Sequence, residues 1–231
     1  MAGSIYEDGS YLDANPDWHA ADAPFKARWI SAIIEQYALK PKTITEVGCG
    51  SGEILVQLRQ IYPQAAFTGY DISPQAARIN SEKSGPGLNF IQSDYLAEET
   101  PQADVLLAID VFEHVEDYMG FIRALKPKAT YKIFHVPLDL SVQAMLRGKP
   151  LMQSRKIVGH LHYFFKDTAL ATISDCGYDI LGWNYTHGAE SLPGRALRTR
   201  LLNTPRRIAR SINEDFAVRL FGGASMMILA T

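Results

Sequence analysis

Ile44-Thr45-Glu46-Val47-Gly48-Cys49-Gly50-Ser51-Gly52-Glu53-Ile54-Leu55 sets three glycines between a short apolar run and the start of an amphipathic pattern. A strand that ends in such a turn before a helix leaves bare backbone amides at the carboxyl edge of a sheet, where open α/β folds bind ligands. The spacing is G-x-G-x-G. The dinucleotide fingerprint G-x-G-x-x-G places its last glycine where this chain has Glu53, and a carboxylate at the helix start opposes a diphosphate. No G-K-[ST] follows, which removes a Walker A reading. The turn therefore suits an adenosine-bearing ligand with no diphosphate at this point. Asp71, in Gly69-Tyr70-Asp71-Ile72, stands about 20 residues on, where a carboxylate accepts ribose hydroxyls; the alternative role for it is a cap on the next helix.

The pattern around the turn repeats. Strands are expected at about 43–47, 66–70, 88–92, 104–109 and 130–136, separated by helical periodicity at about 52–61, 74–82 and 117–125. Parallel neighbours need crossovers, so this alternation predicts an α/β fold with an open, mainly parallel, doubly wound sheet covered on both faces. After Pro137 the rhythm breaks for an insertion at about 138–163, then resumes with a helix at 166–175, starting at Lys166 or Asp167, and a strand at 178–184 after Gly177. From Phe216 to Leu229, interrupted by Gly222 and Gly223, the chain reads as strand, turn, strand, or as one bulged strand.

The 231 residues, 47% of them hydrophobic, suffice for one substantial core with appendages. Residues 1–40 form an arm and a helix, the helix carried by Phe25, Trp29, Ile33, Ile34 and Tyr37, and residues 41–231 form the main domain. Formal charge is only −2, which does not advertise a nucleic-acid partner. The charge is uneven, with an acidic, aromatic arm and six arginines (195, 198, 200, 206, 207 and 210) in a basic segment at about 188–213. That segment is either an anion-facing patch or a solvated helix face. Two cysteines, Cys49 and Cys176, form no CxxC or secreted-type framework, and neither a signal peptide nor an 18-residue apolar stretch is found, so a soluble cytoplasmic protein is expected.

Four short motifs in order, Glu46-Val47-Gly48-Cys49-Gly50-Ser51-Gly52, Gly69-Tyr70-Asp71, Ser93-Asp94-Tyr95 and Asp110-Val111-Phe112-Glu113-His114-Val115, each close a strand. Together they resemble the motifs of class I S-adenosylmethionine-dependent methyltransferases of the small-molecule type, over about residues 42–183. The resemblance implies a Rossmann-like sheet with a seventh, antiparallel strand, and S-adenosyl-L-methionine as the cofactor. It further implies that Glu46 and the backbone at Gly48 and Gly50 hold the methionine portion, in a turn completed by Gly52 with Cys49 at a small-residue position. Asp71 would take the ribose, and Ile72 one face of the adenine. Asp94 would accept the adenine amino hydrogens, Ser93 and Tyr95 would line that pocket, and Asp110 and Val111 would end beside the sulfonium.

Methyl transfer from a sulfonium is an in-line displacement that depends mainly on proximity and a dry site, with base help only for a poorly nucleophilic acceptor such as a hydroxyl. His114 and His135, each at a strand end, are the candidate bases, and His114 has the alternative role of packing the helix start. Tyr11, Trp18 and His19 on the arm, with His160 and His162 on the insertion, are the candidate acceptor contacts, the arm serving as a lid. His135, His160 and His162 are far apart in sequence and no H-E-x-x-H occurs, so no metal is expected. The expected reaction is methylation of a small molecule, at a saccharide or secondary-metabolite hydroxyl, with a nitrogen acceptor or a non-catalytic cofactor-binding protein as alternatives. RNA and DNA bases are disfavoured by the lack of a binding module and of an N/D-P-P-Y/W tetrad, and the state is monomer or homodimer.

Overall fold

A computed structural model describes residues 15, 18, 20–188 and 208–231. Tyr11, His19 and the arginines 195, 198, 200, 206 and 207 lie outside the described residues. In chain order the elements are α1 (Ala23–Gln36), β1 (Thr43–Val47), α2 (Glu53–Ile61), β2 (Ala66–Asp71), α3 (Pro74–Asn80), β3 (Leu88–Gln92), β4 (Ala103–Ile109), α4 (Tyr118–Leu125) and β5 (Ala129–Pro137). There follow α5 (Val142–Arg147), α6 (Lys149–Ile157), α7 (Lys166–Asp175), β6 (Ile180–Thr186), α8 (Glu214–Phe221) and β7 (Ser225–Ala230).

The seven strands make one sheet in the order β3-β2-β1-β4-β5-β7-β6. Strands β1 to β5 pair in parallel, whereas β7 runs antiparallel between β5 and β6. The expected α/β class, its seventh strand, the N-terminal helical arm and the insertion after the fifth strand are all present. Successive residues of β4 explain the double covering. Val105, Leu107 and Ile109 join Ala27, Ile30, Ile34, Leu55 and Leu58 of α1 and α2 on one face. Leu106 and Ala108 join Ile122, Leu125, Ala169 and Ile173 of α4 and α7 on the other. A run apolar at every position, Val105 to Ile109, is what a sheet buried on both sides requires.

Strand order reverses between β1 and β4, so the connections leaving these neighbours diverge and open a crevice at their carboxyl ends. The glycine turn follows β1 and Asp110 follows β4, which brings two motifs separated in sequence to one edge.

The insertion is two short helices. Ser141 caps α5 by accepting the Ala144 N–H at 3.1 Å, and the Ile157 carbonyl at the end of α6 accepts from Asn15 Nδ2 at 3.1 Å, joining the insertion to the arm. One expectation fails in the C-terminal region: the stretch read as a strand from Phe216 is the helix α8, and only residues 225–230 form a strand. Its apolar run fits either period, and local chemistry decides for the helix. Asn213 accepts the Phe216 N–H at 2.9 Å, Asp215 bonds Arg219 one turn on at 2.8 Å, and Ala217 and Val218 are buried. Replacing the cap, Asn213→Ala, is expected to cost about 1 kcal/mol, read as a lowered urea midpoint at unchanged slope.

Candidate active site

The turn after β1 puts Gly48, Gly50 and Gly52 at φ of +68°, +51° and +73°, a region that L side chains seldom adopt. Space matters as much as torsion at two of them. A methyl group on Gly48 would lie 2.8 Å from Val111 Cγ2, and one on Gly50 would lie 2.5 Å from Trp18 Nε1. The turn thus packs on the β4 exit below and on the arm above.

Asp71 at the end of β2 holds this turn. Its Oδ2 accepts the Gly50 N–H at 2.8 Å, and its Oδ1 accepts the Ser73 N–H at 2.8 Å. The cap of α3 is Ser73, not Asp71. Burial raises the Asp71 carboxyl against the lowering effect of those two backbone donors. From the other side Asn80 Nδ2 donates to the Gly50 carbonyl at 3.1 Å, and Lys83 Nζ donates to the Ser51 carbonyl at 2.8 Å while pairing with Glu53 at 3.0 Å.

Glu46 is buried beneath the turn, and its Oε2 has no hydrogen-bond partner among the described residues. Burial pushes its pKa up to about 8, with Lys26 pulling it down and Asp71 adding to the rise. An orphaned buried carboxylate oxygen beside a cradle of bare backbone fits an ammonium-bearing ligand.

Asp110, at φ +54°, is clamped between two side chains from different elements. Lys26 Nζ of α1 lies 2.7 Å from Oδ2, and His135 Nδ1 of β5 lies 2.6 Å from Oδ1. His135 Nε2 in turn meets Thr186 Oγ1 at 2.8 Å. Burial alone would raise the Asp110 carboxyl, but His135 and Lys26 outweigh it and hold it well below the usual carboxylate range. Lys26 is raised reciprocally, Asp110 overcoming the opposing cost of burial.

Two cavities flank this clamp. One of about 370 Å³ is walled by Trp18, Glu46, Gly48, Cys49, Gly50 and His114, among others. The other, of about 510 Å³, is walled by His135, Asp139, Arg147, Ser154 and Thr186 together with residues of the α8–β7 connection. Lys26 and Asp110 line both.

Of the residues singled out in the sequence, Glu46, Gly48, Cys49, Gly50, Asp110, His114, Trp18 and His160 meet in the smaller cavity and His135 in the larger. Gly52 and Val111 support the turn from outside the cavity. Asp71, Ile72, Ser93 and Asp94 stand further along the same sheet edge, with Ile72 and Asp94 exposed. Ser93 donates to Glu98, and Asp94 accepts the Leu96 N–H. Tyr95 is buried in the core against Tyr70, with ring centroids 4.7 Å apart, so its ring packs the fold. His162 bonds the Val115 carbonyl at 2.9 Å and lines neither cavity. Sequence reasoning missed Lys26, Asn80, Asp139 and Thr186. Lys26 alone had a signal: it interrupts the apolar stripe of Ala23, Ala27 and Ile30 at helical spacing.

The sheet order is that of a Rossmann-like methyltransferase fold. A family of proteins described as methyltransferase domain matches residues 45–130, the segment from β1 to the start of β5. Over 107 residues the chain is 36% identical to the ubiquinone biosynthesis O-methyltransferase of Pseudomonas paraeruginosa and 35% identical to that of Pseudomonas entomophila, covering 44% of this chain and 44% of each relative. The chain thus spans less than half the length of these curated relatives. Among solved structures, the plantazolicin methyltransferase BpumL in complex with a desmethyl analogue and SAH superposes with a TM-score of 0.64 at 17% identity, over 99% of this chain and 92% of that one. The [4+2]-cyclase SpnF superposes at 0.58 and 16%, over 88% and 83%. At such identities the likeness is one of fold. The segment from β1 to the start of β5 thus matches a methyltransferase-domain family, and no helix among the described residues is long and apolar enough to cross a membrane.

The clamp on Asp110 is open to test by Lys26→Met, which leaves the carboxylate with His135 alone. A loss of about 2 kcal/mol at pH 7 is expected in urea unfolding. Asp110 is depressed in the fold, so its contribution is present above its unfolded pKa and is lost as pH falls toward the folded value. The difference between wild type and variant should therefore narrow below about pH 4.

Proposed function

We propose that this chain transfers a methyl group from S-adenosylmethionine to a hydroxyl oxygen of a small molecule. The observation that carries the reading is the convergence of the first and fourth motifs on one cavity containing a buried, unpartnered Glu46 oxygen. The O-methyltransferase relatives support oxygen as the acceptor atom, and a saccharide or secondary metabolite is the substrate class we assign.

In this reading Glu46 and the backbone of Gly48 and Gly50 take the methionine end, and Asp71 takes the ribose, with Ile72, Ser93 and Asp94 further along the edge at the adenine. Asp71 has a second duty here, since its carboxylate also fixes the Gly50 amide. The cofactor supplies a methyl group on a cationic sulfur, which keeps the C–S electron pair as the acceptor oxygen forms the new bond. Trp18 above Gly50 excludes water from the turn, and the Asn15–Ile157 bond ties the arm to the insertion over the site. The larger cavity is the acceptor chamber, and the Lys26–Asp110 pair forms its boundary with the donor cavity. His135 engages both ring nitrogens, with Asp110 and with Thr186, so it serves better to hold Asp110 than to take a proton. His114, in the donor cavity wall, is the better placed of the two predicted histidines.

A second reading, binding of the cofactor without methyl transfer, is favoured by one finding: a protein named as a cyclase shares this fold.

Calorimetric titration with S-adenosylhomocysteine tests the donor assignment. Glu46→Gln is expected to weaken binding roughly 10- to 100-fold, the worth of a charge-assisted hydrogen bond. Binding an ammonium favours the ionised carboxylate, so wild-type affinity should fall as pH drops from about 8 toward 6, and the variant should lose most of that slope. Equal affinities at every pH would sink the assignment. Incubation with S-adenosylmethionine and hydroxylated acceptors, read by mass spectrometry for gain of one methylene, then separates the transferase from the binding-only reading.

A further inference from the structure

The turn from Phe112 to His114 at the end of β4 carries a carboxylate that nothing described so far uses. Glu113 is 0% exposed, and among the described residues neither of its carboxylate oxygens has a hydrogen-bond partner. His114 Nε2 stands 3.8 Å from Oε1, beyond hydrogen-bond reach. A buried acid left in this condition calls for a cation.

His160 comes to the same place from the insertion, 46 residues later in the chain. Its approach is fixed by backbone: the amides of Leu161 and His162 both donate to the Glu113 carbonyl, at 2.8 and 3.1 Å. The imidazoles of His114 and His160 meet edge to face with centroids 4.9 Å apart. Asp139 Oδ2 holds His160 Nδ1 at 2.5 Å, which leaves Nε2 as the nitrogen available to a ligand. One donor atom from each of Glu113, His114 and His160 lies within 4.8 Å of the others.

We propose that Glu113, His114 and His160 bind one divalent transition-metal ion of the zinc type in the wall of the donor cavity, with Asp139 as the positioning residue for His160. Two imidazoles and one carboxylate form a ligand set of catalytic zinc sites, which keep a position open for water or substrate. A carboxylate on the far nitrogen of a ligating histidine is the support that such sites use to set ring orientation. Bonds of about 2.0–2.2 Å require the three donor atoms to draw together by roughly an ångström, within reach of side-chain rotation. Soft sulfur ligands are absent from the cluster and the donors are mostly nitrogen, which favours this class over magnesium.

The location gives the ion its use, and here the inference rests on the methyl-transfer reading above. His114 and His160 line the same cavity as Glu46, Gly48 and Gly50. A hydroxyl of an acceptor seated in the larger cavity that reaches across the Lys26–Asp110 boundary to the ion has its pKa lowered and gives its proton to water, so that the oxygen is presented as an anion at the donor cavity. His114 then acts as a ligand and no separate base is required.

The test is metal binding by the purified full chain after chelator treatment, with Co²⁺ followed by its visible bands and Zn²⁺ by calorimetry, beside Mg²⁺. One saturable equivalent of Co²⁺ displaced by Zn²⁺ is expected, with much weaker binding of Mg²⁺. Affinity should fall at least roughly 100-fold in His160→Ala and Glu113→Gln, and about 10- to 100-fold in Asp139→Asn. Far-ultraviolet circular dichroism of each variant checks that the fold persists, and S-adenosylhomocysteine titration of Asp139→Asn, which lies outside the donor cavity, checks that the cavity does. His160→Ala and Asp139→Asn keep the test decisive if Glu113→Gln does not fold. Absence of saturable Co²⁺ or Zn²⁺ binding, or equal binding by wild type and folded variants, overturns the proposal. Co²⁺ binding that follows the variants in a chain that ignores S-adenosylhomocysteine upholds the ion and sinks the donor reading instead.

Discussion

The hydrogen bond from the Gly50 amide to Asp71 Oδ2 joins the exits of two adjacent strands, and the remaining site geometry depends on that join. The turn after β1 has three left-handed glycines, and this bond holds it from the β2 side while Asn80 and Lys83 hold it from the other. With it, Gly48 is seated against Val111 and Gly50 faces Trp18, so the arm, the first two strands and the exit of β4 share a single reference point. Bare amides at a sheet edge become a recognition surface only when their direction is fixed.

Charge organises the neighbouring region differently. Asp110 meets Lys26 of the N-terminal helix and His135 of the fifth strand, and His135 carries the connection on to Thr186 at the end of β6. A buried carboxylate with two partners fixes the docking of three elements, since displacing any of them leaves a charge uncompensated. Glu46, one residue from the end of β1, and Glu113, shortly after β4, are buried acids whose carboxylates have oxygens without a hydrogen-bond partner among the described residues. The contrast separates a carboxylate that ties elements of the fold together from two that do not.

Most of the fold was legible in the sequence because its signals are local. Apolar runs of five to seven residues, broken by glycine and followed by helical periodicity, repeat from Thr43 to Ile109, and a sheet buried on both faces leaves no other consistent arrangement. The first and second motifs were readable for the same reason, since the turn and Asp71 are specified within one β-α-β unit. The helix at 214–221 was misread because Phe216-Ala217-Val218 suits a strand as well as a helix, and its cap and its Asp215–Arg219 bond become decisive only in the fold. Tyr95 ends a pocket motif in sequence, yet in the turn after β3 its ring packs into the core against Tyr70. The pairings Lys26–Asp110 and Asp139–His160 were not legible, because each joins elements whose approach is set by the packing of the whole sheet.

The antiparallel strand β7 has a consequence for how the chain is made. It is inserted between β5 and β6, so β6 leaves the ribosome before the strand that attaches it to the sheet exists. Until residues 225–230 emerge, β5 is an open edge and β6 has no partner; the first five strands then form a parallel platform whose last edge is unprotected. Closing that edge requires contacts between residues about 95 apart, Lys132 with Ala230 among them, a late and entropically demanding step. The α8–β7 connection, which completes the wall of the larger cavity, is therefore put in place only by that step.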